Sequence, residues 1–247
     1  MAAAQANDST RNAPGRLTKT LLGLFMKHAA IAAIDDINDR FRLVTLEGPA
    51  LQAVEWKPGQ KVQIAMGSAF SSRTYTPMSW DAIAGRTRIL GYVHSEGPGS
   101  TWLRGLKTGD ECDLFGPRSS LDTTRAPAPL AVVGDETSLG LAYALISMNW
   151  DKAVTCCFEV SDMVSVGQVL APLGLAEATL IAKRDNEAHL DEMGSALGAP
   201  IAAGASFILT GRAGTIQRLR QYLVRRAVPS ACILTKAYWA PEKQGLD

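Results

Sequence analysis

The hydrophobic rhythm of this chain changes near its middle, and few folds survive such a change. In the first half, apolar and polar side chains alternate in short runs. Examples are Phe41-Arg42-Leu43-Val44-Thr45-Leu46, Lys61-Val62-Gln63-Ile64-Ala65, Arg86-Thr87-Arg88-Ile89-Leu90-Gly91-Tyr92-Val93 and Glu111-Cys112-Asp113-Leu114-Phe115. A period of two marks strands with one buried face. Pro58-Gly59 and Gly109-Asp110 are turn signals between them. Short strands so spaced predict a sandwich or barrel. From Leu130 onward the apolar runs become continuous: Leu130-Ala131-Val132-Val133, then residues 154–160, 178–182, 207–210 and 231–234. Helix-like stretches intervene at 136–150, where Leu139, Tyr143 and Ile146 fall at helical spacing, and at 215–226. Continuous strands separated by helices predict a five-stranded parallel sheet covered on both faces. Residues 119–129 carry Ser, Asp, Thr, Pro127 and Pro129, and read as a linker. The expected organisation is a tail and helix over 1–28, an antiparallel β-barrel over 29–122 and an α/β domain over 123–247.

Charge and cysteine usage narrow the function classes. The 247 residues carry 25 basic and 24 acidic side chains, a net charge of +1. A general nucleic-acid binder needs a strong basic excess, so none is expected as partner. Cys112, Cys156, Cys157 and Cys232 form no C-x-x-C pair, which removes the common zinc and iron–sulfur spacings. The adjacent Cys156 and Cys157 lie in an apolar run and should point to opposite faces of a strand. Buried free thiols suit a reducing, cytoplasmic compartment. His28, His94 and His189 are too scattered to suggest a metal site. Residues 17–34 are interrupted by Lys19, Lys27 and His28. A membrane span needs ~20 largely apolar residues, so no stable membrane insertion is expected. Leu17, Leu21, Phe25 and His28 fall at helical spacing and predict an amphipathic helix on the barrel. Residues 1–15 read as a mobile tail, and the protein as a monomer or weak oligomer.

Three segments carry chemistry. In Arg73-Thr74-Tyr75-Thr76-Pro77, a strand would put Arg73 and Tyr75 on one face and Thr74 and Thr76 on the other. Arg offers a rigid fork of donors to a pyrophosphate. Tyr offers a flat apolar face and a hydroxyl. Together they suit a flavin nucleotide, although an ordinary cross-strand pair has the same sequence. Gly97-Pro98-Gly99-Ser100-Thr101-Trp102-Leu103 follows a strand and opens a helix. Small residues and backbone donors at a helix start suit phosphate, with Ser100 or Thr101 as candidate cap. Gly134-Asp135-Glu136-Thr137-Ser138-Leu139 sits where the first parallel strand meets its helix, the place where doubly wound folds bind nucleotides. It is not a G-x-G-x-x-G fingerprint, and a dipole-stabilised acidic helix start explains it equally well.

Taken in order, these pieces resemble the ferredoxin–NADP reductase superfamily. Within it, the chain is most similar to the siderophore-interacting proteins, FAD-dependent NAD(P)H ferric-siderophore reductases. The resemblance rests on Lys57-Pro58-Gly59-Gln60, Arg73-Thr74-Tyr75-Thr76, and His94 with Gly97-Pro98-Gly99-Ser100-Thr101-Trp102. It continues through Gly109-Asp110, Gly116-Pro117-Arg118, Gly134-Asp135-Glu136-Thr137-Ser138-Leu139, Leu209-Thr210-Gly211 and Tyr238-Trp239. It spans about residues 29–240. Two departures stand out: Gly99 where the family often has Ala, and Ala240-Pro241-Glu242-Lys243 where many relatives have several arginines.

The resemblance implies an FAD-binding barrel followed by an NAD(P)H-binding α/β domain. Arg73, Thr74, Tyr75 and Thr76 would hold FAD. His94, Gly97, Gly99, Ser100 and Thr101 would contact its phosphates and ribityl chain. Asp135, Glu136 and Thr137 would line the pocket for NADPH or NADH, and Trp239, after Tyr238, would close on the flavin or substrate mouth. Read from the residues alone, Lys183-Arg184 is either a partner for a 2′-phosphate or a solvated basic pair, and Arg118 and Lys57 are either anion-attracting residues for the substrate or plain surface charges. The implied acceptor is a ferric siderophore. The alternatives are another small acceptor (free flavin, a quinone or an electron-transfer protein), a non-catalytic carrier of FAD or siderophore, or a barrel that serves only as an interaction module.

Overall fold

The computed structural model describes residues 26–66, 72–94, 96–148 and 153–241. Its first half is a seven-stranded antiparallel sheet: β1 (Met26–Asn38), β2 (Phe41–Glu47), β3 (Lys61–Ala65), β4 (Ser72–Tyr75), β5 (Pro77–Asp81), β6 (Arg86–Tyr92) and β7 (Glu111–Arg118). The spatial order is β4-β3-β7-β1-β2-β6-β5. The sheet curls until β4 returns to touch β6. Helix α1 (Pro98–Gly105) joins β6 to β7. Ile31, Val44, Leu46, Val62, Ile64, Ile89 and Leu114 fill the interior, and Leu103 of α1 plugs it. The alternation of the sequence is therefore the alternation of inside and outside.

One expectation is corrected here. Met26 to His28 belong to β1 and not to a helix, so the strand expected from Ala29 starts earlier. Ala29 and Ile31 are buried at a spacing of two, a strand pattern that the alanine-rich sequence partly conceals. Leu17, Leu21 and Phe25 lie outside the described residues. Among those residues, no helix is long and apolar enough to cross a membrane.

The second half is a parallel sheet of β8 (Leu130–Asp135), β9 (Val154–Val160), β10 (Thr179–Ala182), β11 (Ser206–Arg212) and β12 (Ile233–Trp239). Their order is β10-β9-β8-β11-β12. Helices α2 (Leu139–Met148), α3 (Met163–Leu170), α4 (His189–Ala196), α5 (Gly198–Ala202) and α6 (Ala213–Arg225) accompany them. Both faces are covered. Leu130 and Val132 enter one apolar cluster with α2 and α3, while Ala131 and Val133 enter another with α4 and α6. Cys156 and Cys157 divide between these clusters as expected. Burial pushes both thiols up to about 12, so they are unreactive core residues. Ala231 and Cys232 lie in a short 3-10 turn before β12 and not in the strand itself.

The two halves meet along a seam. Helix α2 lies against β5 and β6. Phe41, Leu43 and Met78 share a buried cluster with Leu139, Leu141 and Ala142. Polar links flank it: Asn38 Nδ2 donates to Ser165 O at 2.9 Å and to Gln168 Oε1 at 3.0 Å, and Arg40 Nε stands 3.6 Å from Asp162 Oδ2. A cavity of about 640 Å³ is lined by residues such as Val154, Thr155, Ala178 and Thr179. It lies at the amino ends of the parallel strands, away from the edge where such sheets bind ligands.

Candidate functional site

On the barrel side, β4 pairs with β3 so that Tyr75 lies opposite Val62 and Arg73 opposite Ile64. That register turns Arg73 and Tyr75 toward the start of α1. A Cβ on residue 99 would stand 3.3 Å from Arg73 Cγ and 3.6 Å from Tyr75 Oη. Gly99 thus lets the strand and the helix backbone approach closely. Arg73 Nη1 donates to Ser72 O at 2.8 Å. Tyr75 also meets Trp102 of α1, ring centroids 5.9 Å apart, and burial raises its phenol well above the ordinary range.

The start of α1 departs from one expectation. Gly97 is the N-cap, Pro98 is the first helical residue, and no side chain caps the helix. Ser100 is buried, and its hydroxyl accepts from the His94 amide at 3.3 Å, tying the preceding loop down. Thr101 is exposed. A helix start without a side-chain cap keeps its backbone donors for other acceptors, and the adjacent guanidinium makes the place suited to a diphosphate. A hollow of about 400 Å³ lined by Met66, Glu96, Pro98, Thr101 and Trp102 adjoins this turn.

On the sheet side, the strand order reverses between β8 and β11. Ligand crevices in doubly wound sheets open at the carboxyl ends of such strands. Asp135 ends β8 there and is fully buried. Its Oδ1 accepts from the Thr137 amide at 2.9 Å, and its Oδ2 from the Arg212 amide at 3.0 Å and Trp239 Nε1 at 2.7 Å. Burial pushes the Asp135 carboxyl up, opposed by the Lys183 charge and by hydrogen bonds from Thr137 and Trp239. Asp135 therefore braces three elements and positions Thr137 and Trp239.

Gly211 is what admits this brace. Its φ is +98, and a Cβ there would stand 2.5 Å from Asp135 Oδ2. Gly211→Ala is expected to cost about 2–4 kcal/mol, from left-handed strain and displacement of a hydrogen-bonded carboxylate. A urea titration reads this as a lower midpoint.

Glu136, 3 % exposed, reaches three ways. Its carboxylate accepts from Lys183 Nζ and the Ser161 amide, both at 2.6 Å, and from Tyr92 Oη at 3.4 Å. Burial alone would raise its pKa; the Lys183 charge and these hydrogen bonds win and hold it below the ordinary carboxylate value. For Lys183, burial pulls the ammonium down, and Glu136 with Asp135 more than restores it. Lys183 Nζ also stands 5.8 Å from the Trp239 ring centroid. Arg184 pairs with Glu192 at 3.0 Å, so both members of the basic pair face carboxylates.

The two sides are joined. Tyr92, from the barrel, bonds Glu136 and stacks on both Phe41 and His94, at 4.9 and 5.1 Å between centroids. Thr76 Oγ1 donates to Tyr238 Oη at 3.4 Å, and burial pushes the Tyr238 phenol up to about 12. The His94 ring reaches solvent, yet the protein packed around it lowers its pKa. Glu136 opposes that shift, while Lys183 and Arg40 reinforce it. Thr74 is exposed on the opposite side of β4 from Arg73 and Tyr75. Sequence reasoning missed Tyr92 and Arg212, and quoted Trp102 in its motif without giving it a role. Tyr92 was visible as an aromatic two residues before His94, hence on the same face of an extended segment.

Residues 67–121 match the family model of a siderophore-interacting FAD-binding domain, which spans Arg73 to Thr76, His94 and the start of α1. The fold is similar to that of a siderophore utilization protein from T. fusca, with 21% identity and a TM-score of 0.68 over 90% of this chain and 95% of that one. A siderophore-interacting protein from Aeromonas hydrophila aligns at 20% identity and TM-score 0.68, covering 89% and 93%. The ferredoxin reductase of carbazole 1,9a-dioxygenase aligns at 17% identity and TM-score 0.67, covering 86% and 68%. At these identities the likeness to solved structures is one of fold: an antiparallel barrel followed by a parallel five-stranded sheet. No curated protein matches the chain in sequence.

Proposed function

We propose that this chain is a flavin-dependent reductase. It holds FAD on the barrel, draws reducing equivalents from NADPH or NADH at the edge of the parallel sheet, and passes them to a ferric siderophore, releasing ferrous iron. The observation that carries this reading is the junction itself. The Arg73–Tyr75 face beside the start of α1 and the Asp135–Trp239 edge are linked through Thr76–Tyr238 and Tyr92–Glu136 hydrogen bonds.

The residues present fit FAD. The Arg73 fork and the start of α1 match a diphosphate in charge and donors. Gly99 leaves room where a side chain would crowd Arg73 and Tyr75. Tyr75 and Trp102 supply flat apolar surface for a ring. Bound FAD supplies the exchange between a two-electron donor and a one-electron acceptor. The chain's own task is placement. Asp135 holds Trp239 and the Thr137 turn over the edge of the sheet. Glu136 and Lys183 neutralise each other there, and the Phe41–Tyr92–His94 stack walls the cleft from the barrel.

An anionic ferric chelate would be drawn by Arg118 and Lys57. Arg118 stacks its guanidinium 4.5 Å over Phe115 and donates to Gln63 Oε1 at 2.5 Å. Lys61, across the ladder from Arg118, adds a second cation to that strand pair. One-electron reduction softens the iron and weakens hard oxygen ligation, so the ion can leave. We place the reaction in the cytoplasm, where nicotinamide nucleotides are supplied and Cys112, Cys156, Cys157 and Cys232 stay reduced. A second reading keeps the same cofactors and changes the acceptor; the fold shared with a ferredoxin reductase favours it.

The test is an absorbance spectrum of the protein reconstituted with FAD, mixed anaerobically with NADPH or NADH and then with a ferric hydroxamate siderophore and a ferrous trap. Bleaching with dinucleotide and recovery with the chelate, with ferrous iron trapped, is the expected result. Bleaching without recovery moves the search to another acceptor. Flavin that binds but does not bleach would mark a carrier, and absence of flavin binding would overturn the reading.

A further inference from the structure

Behind the crevice lies a chain of buried polar groups that no contact above requires. Glu159, on β9, and His189, on α4, are 0% and 1% exposed. His189 Nε2 stands 2.8 Å from Glu159 Oε2. His189 Nδ1 accepts from the Arg184 backbone amide at 3.1 Å. A backbone amide only donates, so Nδ1 carries no proton, and the imidazole proton lies on Nε2, directed at Glu159. Glu159 Oε1 accepts from Thr215 Oγ1 at 2.6 Å. Thr215 is buried in the first turn of α6. The chain thus runs from the turn after β10, through α4 and β9, to the start of α6.

Those two ends flank the carboxyl edge of the sheet. On one side is the turn carrying Lys183, Arg184 and Glu187. On the other is Arg212, whose amide is bound by Asp135. A second tie spans the same gap nearer the surface: Arg212 Nη2 donates to Glu187 Oε1. Glu187 is held in the left-handed region, φ +59, by this short turn. A buried carboxylate and imidazole are costly to desolvate, and apolar residues of similar volume would often be as stable. What a Leu or Val could not do is fix the distance between two backbone segments through directed hydrogen bonds. We infer that Glu159, His189 and Thr215 are positioning residues for the dinucleotide: they hold the 183–187 turn and the start of α6 at the separation its binding requires.

This inference rests on the proposed use of a nicotinamide dinucleotide, and the experiment separates the two. Full-length protein loaded with FAD would be assayed with NADPH and with NADH, using ferricyanide as acceptor so that the siderophore plays no part. For His189→Leu the dinucleotide KM should rise on the order of tenfold, with kcat within about twofold of wild type, the pattern of lost uniform binding. His189→Asn, whose Oδ1 can still take the Arg184 amide but which no longer reaches Glu159, should raise KM by roughly three- to fivefold, less than the Leu variant. Thr215→Val should raise KM by roughly three- to fivefold by removing one donor from Glu159. If His189→Leu does not fold, the Asn and Val variants carry the test. Variants that melt earlier but keep the wild-type KM would overturn the positioning role and leave the reductase reading intact. Wild-type protein that oxidises neither dinucleotide would overturn both.

Discussion

Replacing Arg73 by Ala is expected to raise the FAD dissociation constant by roughly 30- to 100-fold, about 2–3 kcal/mol, the scale of charge-assisted hydrogen bonds to a diphosphate. The Arg73 side chain is only partly buried on the edge strand β4, so folding stability should change by only about 0.5 kcal/mol. The loss is then readable as binding. Nη1 is anchored on Ser72 O, which aims the rest of the fork toward the start of α1. Lysine at this position keeps the charge and loses the fork, so Arg73→Lys should recover less than half of the lost free energy. Titration of FAD into apoprotein, followed by flavin fluorescence, measures both binding effects, and urea unfolding measures the stability. An unchanged constant for Arg73→Ala would remove this residue from the site.

Lys183→Met is expected to cost about 2–4 kcal/mol of folding stability, because it leaves the Glu136 carboxylate buried without its counter-charge. The lower part of the usual range is used because the Lys183 side chain is 21% exposed. The pH dependence gives an independent check. The Glu136 carboxyl is held below its ordinary 4.5, so its contribution is present above that pH and is lost as pH falls through the folded value. The Lys183 ammonium is held above its ordinary 10.5, so its contribution is present below that pH and is lost as pH rises through the folded value. Wild type keeps the full pair between these limits. In Lys183→Met, burial acts on Glu136 without the ammonium to oppose it, so the variant should gain stability on mild acidification while wild type does not. Urea unfolding at two pH values tests the sign. Adding Glu136→Leu should return much of the loss, and independent additive costs would show that the two side chains are not coupled.

The broad fold was legible because its two halves obey different periodicities. Val62, Ile64 and Leu114 face inward at a spacing of two, whereas Leu130 to Val133 are all buried, divided between two faces. What escaped was short or weakly patterned. Strand β5 begins at Pro77 and spans five residues. Helix α3 announces itself mainly through Asp162, whose carboxylate accepts from the Val164 and Ser165 amides.

At the candidate site, the shared face of Arg73 and Tyr75 followed from strand alternation alone. Asp135 as a brace did not, because its partners Arg212 and Trp239 lie 77 and 104 residues along the chain. The Gly97–Pro98 opening looked ready for a Ser100 or Thr101 cap. The loop instead turns the Ser100 hydroxyl back to the His94 amide, a choice made by tertiary packing and invisible to local propensity.

The apolar seam sets the mechanics of the molecule. Phe41, Leu43 and Met78 of the barrel are packed with Leu139, Leu141 and Ala142 of α2. Prising the halves apart would wet the barrel side of that cluster and the face of α2 packed on it, and each large side chain costs about 1.5–3 kcal/mol to expose. The sum approaches the whole stability of an ordinary domain, about 5–15 kcal/mol. The seam is therefore a weld and not a hinge: gaping and melting would be nearly the same event. Ligands must enter and leave by the swing of side chains and surface turns at the rim, and the distance between the Arg73–Tyr75 face and the Asp135–Trp239 edge is built in when the chain folds.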